Sequence, residues 1–132
     1  MIEVGVDYFC GRRFFVSSNR DTMILTCPAM STIKSLKLLA DPTRLRILRL
    51  LQREPMSVAE LQEVLGMGQS RISTQLSQLK AAGLVADHRS GKHNIYACGA
   101  PPRLVELARE LAREVPEVAR DGAGLRHLRR KR

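Results

Sequence analysis

Residues 57–96 predict a mainly α-helical fold with a small β-hairpin, a winged helix-turn-helix. Three observations carry this prediction. Ser57 and Glu60 form an S-x-x-E capping box, in which each side chain satisfies an orphan amide of the other's backbone, and they open a short helix. Gly66-Met67-Gly68 breaks that helix, and a second begins near Gln69 with apolar positions Ile72, Leu76 and Leu79 at helical spacing. Two short β-prone runs then follow, joined by the basic segment HRSGKH. A helix-turn-helix of this order places its second helix in the DNA major groove, so the pattern bears on function as well as on fold.

The flanking elements agree with this reading. Residues 1–30 show no sustained period, although YFC and RRFFV suit short strands and most of the aromatics fall there, at Tyr8, Phe9, Phe14 and Phe15. This segment reads as a poorly ordered N-terminal arm or an upstream extension. Met30 directly precedes a sound helix start and is the expected translation start; mass spectrometry of the native N-terminus tests this. Ile33, Leu36 and Leu39 or Ala40 place a helix over 32–40. Asp41-Pro42 then supplies an N-cap and a first-turn proline to a helix through Arg53, which Pro55 stops. Val58, Leu61 and Leu65 line the short helix. Gly83 ends the next helix, and strands are expected over 84–87 and 94–98 with Gly91 in the turn. Pro101-Pro102 opens a last strong helix with Leu104, Leu107, Ala108 and Leu111 on one stripe, limited by Pro116. The segment to Arg132 has room for one more short, highly charged helix. Three segments follow: the arm at 1–30, a winged helix-turn-helix DNA-binding domain at 31–115, and a basic C-terminal tail at 116–132.

Composition sets the class. The chain has 132 residues, 44% of them apolar and only 4% aromatic, so one core must be built from Leu, Ile, Val and Ala, and dimerisation often assists domains of this size. No apolar run approaches the roughly 20 residues that cross a bilayer, and no secretory signal pattern is visible. Cys10, Cys27 and Cys98 are scattered without C-x-x-C spacing, as expected of reduced thiols in the cytoplasm. The formal net charge is +9, of which the last thirteen residues supply +5. A charge run of this kind is expected to be a solvated tail that adds salt-sensitive, sequence-independent affinity for an anionic partner.

The helix from Gln69 is the reading candidate. With Ile72, Leu76 and Leu79 buried, its other surface offers Gln69, Ser70, Arg71, Ser73, Thr74, Gln75, Ser77 and Gln78, groups that hydrogen-bond base edges and phosphates. An ordinary solvated face mixes Glu with Lys, whereas no carboxylate occurs from Gln69 to Ala82. Around Gly91 the hairpin carries His88, Arg89, Lys92 and His93, suited to phosphates or the minor groove. His88 and His93 lack the cysteine or carboxylate companions of a metal site. We therefore expect DNA contacts from Gln69, Ser70, Arg71, Ser73, Thr74, Gln75, Ser77, Arg89, Lys92 and His93. No nucleophile–base or acid pair converges, so no catalytic residue, metal or cofactor is expected.

The runs LKLLADPTRLRILRLL, MSVAELQEVLGMGQSRISTQLSQLKAAGLV and RSGKHNIYAC resemble the ArsR family of bacterial winged-helix repressors over about residues 32–113. The resemblance implies a homodimer whose first and last helices pair across a two-fold axis. Its recognition helices would enter successive major grooves of a near-palindromic operator on double-stranded DNA, with release by an effector. Carried over, the dimer interface uses Leu36, Leu39, Leu104, Leu107 and Leu111. The sensor departs from the family. Where many members have two cysteines before the turn, this chain has Ser57 and Ala59, and its last helix carries Glu106, Glu110 and Glu114 but no His. Those glutamates read as partners of Arg109 and Arg113. Cys98, at a strand end, reads as a small core residue. LGMGQSRISTQLSQLKAAGLV and VPEVARDGAGLRHLRRKR are also similar to the regulator part of ArsR–methyltransferase fusions. No glycine-rich loop after a strand and no βαβ series is present, which makes a non-catalytic module of a truncated or split fusion the alternative reading.

Overall fold

The computed structural model describes residues 6–9, 12–15 and 32–132. Cys10, Cys27 and the expected start at Met30 lie outside the described residues. Strands β1 (Val6–Phe9) and β2 (Arg12–Phe15) pair antiparallel, with Val6 opposite Phe15, where the arm's two aromatic runs suggest strands.

Six helices and a small sheet follow. Helix α1 (Thr32–Leu39) leads into α2 (Pro42–Arg53), where the Asp41 carboxylate accepts from the Thr43 amide at 2.7 Å and the Arg44 amide at 3.3 Å. That cap meets two of the amides that lack intrahelical partners, and Pro42 removes a third donor. Helix α3 (Val58–Leu65) forms the expected capping box: the Glu60 amide donates to Ser57 Oγ at 3.3 Å and the Ser57 amide to Glu60 Oε2 at 3.0 Å. Helix α4 (Gln69–Ala81) follows the glycine turn, and α5 (Pro102–Ala112) opens on its proline. Ile47, Leu48, Leu61, Ile72, Leu76, Leu79 and Leu84, all essentially without solvent exposure, form one core beneath α1–α5.

The wing differs from the expected two strands. Strand β3 (Met56–Ser57) joins β4 (Val85–Ser90) and β5 (His93–Cys98) in an antiparallel sheet ordered β3-β5-β4, with Met56 opposite Tyr96. Two residues are too few to show a strand period, but Met56 is fully buried and anchors the wing to the core. The hairpin is also longer than predicted. His88 pairs with Ile95 and Ser90 with His93, leaving Gly91 and Lys92 as the turn, where φ of +62° suits glycine.

The C-terminal segment is a larger departure. Residues expected as a solvated tail form α6 (Glu117–Lys131), which packs on α2 and α3. Leu125 is fully buried and Leu128 nearly so. Gly124 permits the close approach, since a Cβ there would meet Val64 Cγ1 at 3.2 Å. Asp121, 2% exposed, accepts two bonds from the Arg46 guanidinium, Nε–Oδ2 at 2.8 Å and Nη2–Oδ1 at 2.7 Å. This hydrogen bond is the main reason the Arg46 pKa is raised, with the Asp121 charge adding to it and burial opposing. At the far end Arg129 and Arg132 pair with Glu54, Arg132 also with Glu60, and Lys131 with Glu63. Three of the terminal basic side chains thus have carboxylate partners at the end of α2 and on α3.

Candidate nucleic-acid interface

Helix α4 is amphipathic in the required sense. Ile72, Leu76 and Leu79 are buried, while Gln69, Ser70, Arg71, Thr74, Ser77 and Gln78 are exposed and Ser73 and Gln75 half-exposed. Its N-terminus has no side-chain cap, because Gly68 occupies that position, so its first amides and the positive end of the helix dipole face outward. Two hydroxyls bond back within the helix, Thr74 Oγ1 to the Ser70 carbonyl at 2.8 Å and Ser77 Oγ to the Ser73 carbonyl at 2.9 Å. Their protons are spent locally, which leaves their lone pairs as acceptors.

Two of the expected contact residues are tied to α2. Arg44 Nε donates to Gln75 Oε1 at 2.7 Å while its Nη1 donates to the Leu38 carbonyl at 3.1 Å. Arg44 therefore joins the end of α1, the start of α2 and the middle of α4. Gln75 serves first as a strut, with only its amide nitrogen left to donate outward. Arg71 Nη2 donates to Thr43 Oγ1 at 3.3 Å, and Thr43 itself is 7% exposed. Arg44 and Thr43 are the residues the sequence reading missed. The only signal for Arg44 was its place in T-R-L-R, among four arginines of one helix.

The wing is held against the same helix. Lys80, in the last turn of α4, pairs with Asp87 of β4 at 2.7 Å. Burial raises the pKa of the Tyr96 phenol; the Asp87 charge adds to this and Lys80 opposes it. Lys92 and His93 are exposed at the tip. Arg89, placed on β4 rather than in the turn, folds over it with Nε donating to the Gly91 carbonyl at 3.4 Å. Of the wing's basic groups, His88 and Arg89 therefore stand on β4 and His93 on β5, with Lys92 in the turn between them.

The residues expected at a dimer interface separate into two sets. Leu39 and Leu104 are 1% and 4% exposed and belong to the protomer's own core, because α1, α2 and α5 pack on one another. Leu36, Leu107 and Leu111 are half-buried, and beside them Ile33 is 67% exposed, the one exposed large hydrophobic among the described residues. Ser57 is committed to the capping box, and Cys98, expected as a small core residue, is 1% exposed in the core. Glu106 and Glu110 pair with Arg109 and Arg113, each at 3.2 Å. Among the described residues no three His, Cys, Asp or Glu side chains gather as a metal site.

The family model described as bacterial regulatory protein, arsR family, matches residues 41–87, which span α2, α3, α4 and the start of β4. The HTH-type transcriptional regulator NmtR of Mycobacterium tuberculosis is 40% identical over 80 residues, covering 60% of this chain and 67% of NmtR. This chain belongs to the ArsR family. The "probable mercury resistance operon repressor" of Streptomyces lividans, 42% identical over 84 residues, covers 62% of the chain, which spans 67% of that protein. Among solved structures, the homodimeric winged helix-turn-helix DNA-binding domain of Mb0332 from Mycobacterium bovis superposes with a TM-score of 0.53 at 29% identity. The match covers 67% of this chain and 93% of that one. The architecture is thus an ArsR-type winged helix, and the chain is a transcriptional regulator of that family. No helix among the described residues is long and apolar enough to cross a membrane.

Proposed function

We propose that the protein is a sequence-specific repressor acting in the cytoplasm as a homodimer, occluding a promoter by binding a near-palindromic operator. The observation that carries this reading is the exposed face of α4. It lacks carboxylates, is rich in hydroxyl and amide groups, and is braced on α2 by the Arg44–Gln75 bond and against the wing by Lys80–Asp87. Gln69, Ser70, Ser73 and Thr74 read base edges, while Arg71, Arg89 and Lys92, with His93 beside them, set position on phosphates. Ser77 lies farther along the face as an acceptor, and Gln75 positions the helix.

Ile33, Leu36, Leu107 and Leu111 form the apolar seam through which α1 and α5 meet the second copy. Mb0332, described as homodimeric, supports assembly as two copies. NmtR and the Streptomyces protein, a regulator and a repressor by name, support the regulatory role, and no catalytic step is assigned. The narrower likeness to the regulator part of methyltransferase fusions rests on the two motif runs; a downstream reading frame resuming methyltransferase motifs tests it.

Replacing Ser73 and Thr74 together with Glu is the experiment for the α4 assignment. Carboxylates there would face phosphate, so operator binding should be lost with the unfolding midpoint unchanged. Unchanged affinity would refute the placement.

A further inference from the structure

On the flank of the molecule α2, α5 and α6 border an open groove of about 630 Å³ lined by five arginines: Arg49, Arg53, Arg109, Arg113 and Arg126. No acidic residue lines it. Arg109 and Arg113 have only exposed partners on their own helix, pairs that neutralise weakly in water. Arg53 and Arg126 have no carboxylate within ion-pair distance among the described residues. Their guanidinium groups converge over Gly122: a Cβ at that position would meet Arg53 Nη1 at 3.1 Å and Arg126 Nη1 at 3.8 Å. A larger residue there would displace Arg53. Arg53 and Arg126, gathered with the guanidinium groups of Arg49, Arg109 and Arg113 along one groove, raise the local positive potential and favour an anion.

The groove is separate from the surface assigned to DNA. None of its lining residues belongs to α4, β4 or β5. Arg44, the brace of α4, and Arg53 lie nine residues apart on α2, which is roughly 13 Å along the axis by the helical rise. It is also separate from the apolar seam. At 3.6 residues per turn, Arg109 and Arg113 stand roughly half a turn around α5 from Leu107 and Leu111.

We propose that this groove is a binding site for a small multivalent oxyanion, a molecule carrying two or more phosphate-like groups. Guanidinium forks bind such groups in bidentate fashion, and a cleft of this volume is of small-molecule size. The groove and the Arg44 brace share one rigid helix, so an occupant would bear on α2 directly. The proposal does not depend on the DNA-binding reading.

The test is calorimetric titration of the full chain with inorganic pyrophosphate, at an ionic strength held constant with sodium chloride. Saturable binding with one site per protomer is expected. The pair Arg53→Gln and Arg126→Gln should weaken it at least about tenfold, as loss of charge-assisted bonds implies. The pair Arg103→Gln and Arg120→Gln, on exposed positions outside the groove, should leave it unchanged. Far-UV circular dichroism checks folding, and Arg109→Gln with Arg113→Gln is the substitute pair if the first does not fold. Binding that disappears at matched ionic strength, or that falls equally with the control pair, would overturn the proposal. So would a groove variant that lowers the salt dependence of DNA binding while pyrophosphate fails to bind, a result that would give the groove to the DNA backbone.

Discussion

Replacing Asp121 with Ala removes the acceptor of both Arg46 bonds and tests whether α6 is part of the folded core. The two side chains are 14% and 3% exposed, so solvent screens the pair little. Breaking a buried pair from one side leaves an uncompensated charge and costs about 3–5 kcal/mol. Against a total stability of roughly 5–15 kcal/mol for a domain of this size, that is a large share. The companion variant Arg46→Met with Asp121→Leu removes both charges and fills the space, so most of the loss should return. The assay is urea unfolding followed by circular dichroism, comparing midpoints at constant slope. A single-variant change within about 0.5 kcal/mol, the range of ordinary surface positions, would refute the reasoning and return residues 116–132 to a solvated tail.

Four further outcomes follow from the same structure. Leu125→Ala, at a fully buried contact of α6, should cost about 2–5 kcal/mol in the same unfolding assay. The Glu63 pKa is lowered, chiefly by its bond from Lys131, so this contact stabilises above the ordinary value of 4.5 and is lost as pH falls through the lower folded value. Amide protection at the end of α6, taken relative to the intrinsic exchange rate at each pH, should fall over that acidic range, and Glu63→Gln should remove the change. The Tyr96 pKa is raised by burial, so its neutral form favours the fold and the contribution is lost as pH rises above the ordinary 10.0. In a Tyr8→Phe background, ultraviolet titration should show a single tyrosinate appearing above that value; ionisation at or below it would contradict the packing. Finally, Ile33→Glu with Leu107→Glu should dissociate the dimer in sedimentation with little change in protomer helicity, and a persistent dimer would move the interface elsewhere.

What was legible in the sequence was local. Asp41-Pro42, the Ser57–Glu60 box and the Ile72, Leu76, Leu79 spacing each act within one or two turns, and the helices begin and pack where those signals place them. The docking of α6 was not legible, because its evidence is long-range. Arg46 and Asp121 are 75 residues apart, and each reads alone as an ordinary surface charge. Leu125 and Leu128 are too few to mark a core stripe amid six basic residues and two interior glycines. The same limit hid the brace on α4, since Arg44 and Gln75 lie 31 residues apart. Leu39 and Leu104 show a related ambiguity. Helical spacing identifies an apolar stripe, but which part of it faces the protomer's own core and which faces a partner depends on how α1 and α5 cross. In the wing, Gly91 marked the turn, but the strands run to its edges because polar residues such as Arg89 and Asn94 pair through backbone groups that side-chain pattern does not report.

The most direct test of the central claim is a salt titration of binding to promoter DNA from the protein's own locus, with an unrelated duplex as competitor. Tight binding by a dimer that survives competition is expected, with its loss in the Ser73→Glu, Thr74→Glu variant. Binding that is weak, and that vanishes equally on both duplexes as salt rises, would contradict sequence-specific recognition by α4 and leave only general attraction between a basic protein and phosphate.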